Sequence, residues 1–287
     1  MTATSRKTNP REQALRSLGQ LPPFPAILNR LIATLAREDS SFIEIAELIE
    51  KDTVVAGNVL KIVNSALYSR RATVTSVRHA VTLLGINKLR NAALGMSVTR
   101  MWNQVRVPGT WSMARFNLHS VATALLADSL AQRVQVDDSE GAFVAGLFHD
   151  VGRLLITIGL PDEYSLISRM NPRDATERAR CELEVLGCTH AELSRDAVQA
   201  WKLTESVQRA VLFHHQPLPS SGATLSLSRL VDAANTYVNG IGISICPSDT
   251  PPGANDGDCL NSLGLAERLP TLLEDFNREF EAIHKMF

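Results

Sequence analysis

The sequence predicts an all-α protein, and three observations carry that prediction. Apolar residues recur at three-to-four spacing in segment after segment, no alternating strand pattern of useful length appears, and capping-box pairs stand ahead of several apolar runs. Leu21-Pro22-Pro23 opens the first helix, whose stripe is Phe24, Ile27, Leu28, Leu31, Ile32 and Leu35; proline suits such an entry because the first helical turn has no use for an N–H. Ser41 and Glu44 form a capping-box pattern ahead of Ile45, Leu48 and Ile49. Asp52 or Thr53 can cap the next run, through Val55, Val59, Leu60 and Val63. Helices expected over 76–84 and 88–102, separated by Gly85, complete an N-terminal bundle.

Pro108 and Gly109 break the chain, and a second bundle is expected from there. It starts with long helices over 112–134 and 140–158. Asp174 with Glu177 and Thr189 with Glu192 are further capping-box pairs. Thr204 can cap a helix ending near His215, before Pro217 and Pro219, and 225–238 forms the next. A Pro-, Gly- and Asp-rich loop over 246–258 leads to a terminal helix with Leu269, Leu272, Phe276, Phe280 and Ile283 on one stripe. That stripe must dock on its own bundle or on a partner, a homo-oligomer included. The expected division is an extension over 1–20, a helical subdomain over 21–107, a second over 108–242, and the loop with the terminal helix over 243–287. No internal repeat or low-complexity tract interrupts it.

Bulk properties fit a globular chain. At 287 residues it can bury a sizeable core without disulfides, and 45% hydrophobic with 21% charged residues at net charge -1 excludes disorder. The polar first thirteen residues lack an apolar core, and no run of about eighteen uncharged apolar residues occurs, so neither a signal peptide nor a membrane span is read and a cytoplasmic protein is expected. Cys181, Cys188, Cys246 and Cys259 are widely spaced without a Cys-x-x-Cys pair, which predicts reduced thiols.

Charge is unevenly spread. Residues 53–127 contain no Asp or Glu, where composition would supply about eight. Lys61, Arg70, Arg71, Arg78, Lys88, Arg90, Arg100, Arg106 and Arg115 fall in that stretch, and a positive surface is expected there. Arg70, Arg71, Arg78, Lys88 and Arg90 are its candidate contacts to an anionic partner or effector. Nucleic acid is disfavoured, because the stretch lacks interleaved surface aromatics.

The chemistry-bearing residues are histidines and carboxylates. His149 and Asp150 are adjacent within Ala145-Gly-Leu-Phe-His-Asp-Val-Gly-Arg153. Side chains of neighbouring helical residues point about 100° apart, so both reach one ion only if it lies across the face between them. His119 lies thirty residues earlier on the preceding helix, Asp232 supplies a late carboxylate, and His190 with His214 and His215 adds three imidazoles. Imidazole and carboxylate converging in a bundle suit divalent iron, manganese or zinc, as one or two ions. Each member also has a plain reading: His119 and His190 as hydrogen-bonded helix residues, Asp232 as an exposed ion-pairing group, and His214-His215 as a basic helix cap. His79 and His284 fit no pattern.

In order along the chain stand Leu21-Pro22, Asn64-Ser65-Ala66 with Tyr68, the run from Ala80 to Gly85, Gly146-Leu-Phe-His149-Asp150-Val-Gly152, Glu184 with Gly187, His190, Trp201 and His214-His215. This series, across about 21–240, resembles the HDOD domain family, which is related to the HD phosphohydrolases. The resemblance implies a multi-helix HD-like bundle with an added N-terminal helical bundle, and a bacterial signal-transduction regulator without an established family-wide activity. It further implies that His119, His149, Asp150 and Asp232 match a mononuclear HD site, and that His190, His214 and His215 with a bridging Asp150 match the second metal position of the HD-GYP phosphodiesterases.

Two departures bear on activity. His215 leads into Gln216-Pro217-Leu218-Pro219 and not a Gly-Tyr-Pro segment, so cyclic dinucleotide hydrolysis is not implied, and Arg153 replaces the lysine often found there. The leading expectation is thus a non-catalytic regulator that binds a protein partner or a small anionic effector. The alternative is a metal-dependent phosphohydrolase with Asp150 and Arg153 as its catalytic candidates, in which one or two ions bound by the seven residues would lower the pKa of a bound water and Arg153 would stabilise charge developing on phosphoryl oxygens.

Overall fold

A computed structural model describes residues 9–23, 26–35, 41–65, 73–246 and 258–284 of the chain. The described residues form helices joined by turns, with only isolated bridges, Val136 to Leu225 and Ser221 to Thr224, in place of strands. The all-α prediction holds.

The first half contains α2 (Ala26–Leu35), α3 (Phe42–Glu50), α4 (Thr53–Val63), α5 (Val77–Leu84) and α6 (Ile86–Trp102), after α1 (Pro10–Arg16). Caps sit where the sequence puts them. Ser41 accepts the N–H of Glu44, and Asp52, not Thr53, caps α4 by accepting from Val54 and Val55. Asn64 closes the end of α4: its amide donates to the carbonyls of Leu60 and Val74, and its oxygen accepts the N–H of Val74 at 2.8 Å. This motif residue therefore has a structural task, joining two points ten residues apart in the chain. Helix α6 is buried almost all round, from Leu89 to Trp102, and α2, α3, α4 and α5 pack against it.

The second half is built on α7 (Met113–Ala131), likewise buried along most of its length. Around it and in contact with one another lie α8 (Ala142–Phe148), α9 (Val151–Gly159), α10 (Pro161–Met170), α11 (Ala175–Leu186), α12 (His190–Ala200), α13 (Glu205–Leu212), α14 (Leu227–Gly240), α15 (Asp258–Asn261) and α16 (Leu269–Ile283). One continuous cluster of buried apolar side chains runs through both halves, with Trp102 of α6 and Phe116 of α7 in ring contact at 4.7 Å. The apolar stretch Ala142–Gly159, long enough to cross a membrane, is 89% buried inside the fold and interrupted at His149 and Asp150.

Three expectations need correction. The single helix expected over 140–158 is two helices, because Asp150 leaves helical geometry (φ -106, ψ 12) between α8 and α9. The extension over 1–20 is not a simple tail: α1 docks on α9 and α12 of the second half, with an Arg11–Asp196 ion pair at 2.6 Å. Helix α10, with Pro161 at its first turn, lay in a segment given no element. The terminal stripe docks on its own bundle, one of the two placements expected for it: Leu272 and Phe276 are fully buried and α16 packs on α7.

The expected cationic surface also needs correction. Arg90 is buried and pairs with Glu140 at 2.7 Å, Arg78 pairs with Glu47 at 3.2 Å, Arg100 pairs with Asp52 at 3.3 Å, and Lys88 pairs with Glu279 of α16. Carboxylates distant in sequence thus fold back onto the acid-free stretch. Arg70 and Arg71 lie outside the described residues.

Candidate metal centre

The centre is assembled by close helix approaches that two glycines permit. A Cβ on Gly146 of α8 would stand 2.7 Å from the Cα of Ala124 on α7, so glycine lets the two helices close until His119 and His149 meet. A Cβ on Gly152 of α9 would stand 2.0 Å from the carbonyl oxygen of His190, so α12 can deliver its first residue to Asp150 only because position 152 has no side chain. The capping box of Thr189 and Glu192 starts α12 at that histidine.

Six of the seven expected ligands converge. Ligand atoms of His119, His149 and Asp150 lie within 4.8 Å of one another, and so do those of Asp150, His190, His214 and His215. Asp150 belongs to both groups: its Oδ2 is 3.8 Å from His119 Nε2 and 3.6 Å from His149 Nε2, while its Oδ1 is 3.2 Å from His190 Nε2 and 3.5 Å from His214 Nε2. His119, His149, Asp150, His190 and His214 are all buried, and His215 is half-buried.

Asp232 does not join either group. On α14 it shares the less buried face with Arg229, Thr236 and Asn239, while Leu230, Val231, Ala233 and Ala234 face the core. Burial raises its pKa, and the opposing influence of His214 and Arg229 is smaller. It is not solvent-exposed either: Asp232 is part-buried and interacts electrostatically with His214, so it stands near the centre without joining its close contacts.

Hydrogen bonds define which ring nitrogens carry protons. His119 Nδ1 contacts the Ile243 carbonyl at 2.8 Å, His149 Nδ1 that of Gly146 at 2.7 Å, and His214 Nδ1 that of Val211 at 2.7 Å. These oxygens only accept, so each Nδ1 donates, and a neutral ring then carries its lone pair on Nε2. The Nε2 atoms point inward: His119 and His149 face each other at 3.2 Å, and His190 and His215 at 3.0 Å. The buried His214 Nε2 has no hydrogen-bond partner, its contact with Asp150 Oδ1 being 3.5 Å.

Electrostatics follow from burial and neighbours. Burial, with the adjacent His214 and His119, pushes His149 down to about 3 despite Asp150, and burial with His214 and His190 holds His215 well below the usual imidazole range. Burial would raise Asp150, but His149 and Arg153 hold it well below the carboxylate range. His190 goes the other way: Glu182 and Asp150 overcome burial and lift it to about 9 in the metal-free chain.

The sequence reading did not single out Glu182. It is buried on α11, and its Oε2 contacts His190 Nδ1 at 2.7 Å and accepts the His190 backbone N–H at 2.8 Å. Eight residues separate the pair, across a turn made by Gly187 in the left-handed region, so helical spacing alone carried no signal. Arg153 donates to Asp150 Oδ2 at 3.3 Å and to Cys246 Sγ at 3.4 Å, at the edge of the centre.

This two-bundle helical fold with a buried His/Asp centre defines an HD-related domain protein. The HDOD domain family matches residues 21–217, and the chain belongs to that family. It is 22% identical over 241 residues to an uncharacterized protein of Treponema pallidum (strain Nichols), covering 77% of this chain and 44% of that one, so it spans less than half the length of that relative. Three solved structures share the fold. An HDOD domain protein of unknown function from Geobacter sulfurreducens superposes with a TM-score of 0.75 at 21% identity, covering 96% of this chain and 98% of that one. A Marinobacter aquaeolei VT8 protein named as a candidate signal transduction protein has a TM-score of 0.72 at 20% identity, covering 96% and 65%. A Shewanella amazonensis SB2B protein named as a candidate phosphohydrolase has a TM-score of 0.70 at 24% identity, covering 96% and 97%.

Proposed function

We propose that the chain is a regulatory protein whose second half holds one or two divalent metal ions in a buried centre, and which acts on a protein partner and not by hydrolysis. The observation that carries the metal is the set of inward-facing Nε2 atoms around Asp150. The facing Nε2 lone pairs of His119 and His149 at 3.2 Å repel in a low-dielectric interior, and the buried His214 Nε2 without a hydrogen bond is costly. A cation at Asp150 relieves both.

His119 and His149 would hold an ion on one side of Asp150, and His190, His214 and His215 on the other. Imidazole with a single carboxylate favours iron, manganese or zinc over magnesium or calcium. Such an ion would supply Lewis-acid polarisation and cross-link four helical segments. The regulatory role is supported by the segment after His215, where Gln216-Pro217-Leu218-Pro219 stands in place of the Gly-Tyr-Pro of the related phosphodiesterases. A small anionic effector bound by Arg78, Lys88 and Arg90 is not carried forward, because each of these cations already has a carboxylate partner.

One observation favours the alternative. Arg153 stands beside Asp150, where a guanidinium could hold a phosphoryl group, and the Shewanella protein's name points the same way. The test is metal analysis of the purified chain, followed by a phosphodiester and phosphomonoester screen with added manganese or iron. Retained metal without turnover is the expected result. Turnover lost on His149→Ala would make the protein a hydrolase, and no metal uptake would remove the centre.

A further inference from the structure

We propose that Glu182 is a positioning residue that makes the two sides of the centre unequal, directing the first metal ion to the His190, His214 and His215 side. This rests on the metal-centre reading above. Four of the imidazoles are oriented through Nδ1, and three of them by neutral peptide carbonyls, of Ile243, Gly146 and Val211. Only His190 is oriented by a carboxylate, at 2.7 Å.

A carboxylate behind an imidazole increases its basicity as a ligand and adds negative charge next to the ion. The His190 side therefore has two carboxylates near it, Asp150, which it shares with the His119 and His149 side, and Glu182, which contacts His190 itself. Charge counts for more here than at a surface, because Glu182, Asp150 and His190 are all buried.

The geometry that holds Glu182 is specific. One carboxylate oxygen takes both the ring Nδ1–H and the backbone N–H of His190, so the side chain fixes the ring and the first turn of α12 together. Arg178, one turn earlier on α11 and also buried, interacts electrostatically with the Glu182 charge. None of this machinery serves the His119 and His149 side.

The experiment titrates the metal-free full chain with zinc, in competition with a chelator, and follows the histidine ring nitrogens by long-range 15N NMR. In the wild type, the first equivalent should shift Nε2 of His190 and its neighbours while His119 and His149 respond to the second. Glu182→Gln keeps the shape and can still accept the backbone N–H, but it should weaken the tighter step by about 10- to 100-fold. Glu182→Asp should recover part of the loss, and His119→Ala should leave the tighter step intact. A first equivalent that shifts His119 and His149 overturns the proposal on wild-type protein alone, as does an unchanged tighter step in a folded Glu182→Gln variant. Wild-type protein that takes up no zinc overturns this inference and the metal centre together, whereas two steps indifferent to Glu182 overturn this inference only.

Discussion

The Nε2 atoms of His119 and His149 face each other at 3.2 Å in the protein interior, each ring donating its Nδ1–H in a hydrogen bond to a backbone carbonyl. The arrangement is costly without a cation and stable with one, so stability and metal content should be coupled. Zinc or manganese added to metal-free protein should raise Tm, with a stabilisation growing as the logarithm of free metal. His149→Ala should lose much of that increment while retaining helical circular dichroism. An equal Tm rise in the variant would place the ion elsewhere.

Gly152 is where the centre depends most on a missing atom. Gly152→Ala puts a Cβ 2.0 Å from the His190 carbonyl oxygen, which must move because it is backbone. The expected cost is about 3 kcal/mol in denaturant unfolding, with reduced metal retention. Gly109→Ala, with nothing within 4 Å of the added carbon, is the control and should be near neutral. Similar behaviour of the two variants would refute the role given to the α9–α12 contact.

Asp128 on α7 gives a pH signature separate from the metal centre. Burial is the main cause raising its pKa from 3.8 to about 6, and the Glu279 carboxylate adds to it, while hydrogen bonds from Asn91 and Gln132 and the charge of Arg90 oppose the rise. The folded state thus binds this proton more tightly than the unfolded chain. Its stabilising contribution is full below about pH 4 and is lost as pH rises through about 6. Asp128→Asn should therefore be more stable than wild type at pH 8, on the order of 1–2 kcal/mol, and lose that advantage at pH 4. A difference independent of pH would show that the carboxyl does not titrate in this range.

Helix α16 is an integral part of the core. Phe276 is fully buried and contacts Tyr237 at a ring distance of 6.4 Å, so Phe276→Ala should cost about 3 to 5 kcal/mol. A loss below about 1 kcal/mol, measured by denaturant unfolding, would mean the helix frays without consequence for the bundle.

By itself the sequence determined the helical class, most caps and the identity of six converging side chains. Those features depend on local signals: periodic apolar residues, Ser41, Asp52 and Thr189 ahead of helices, and an ordered set of histidines around one His-Asp pair. Only the tertiary structure decided that Asp232 stays outside both groups of converging ligand atoms, because a helix presents its residues by phase and the apolar neighbours on α14 claimed the core side. It alone paired Lys88 with Glu279 and Arg90 with Glu140, contacts 191 and 50 residues apart, which gave buried and exposed cations of an apparently bare basic stretch their carboxylates. It alone placed Glu182 behind His190, since the turn at Gly187 sets the angle between α11 and α12 and no periodicity along the chain records that angle.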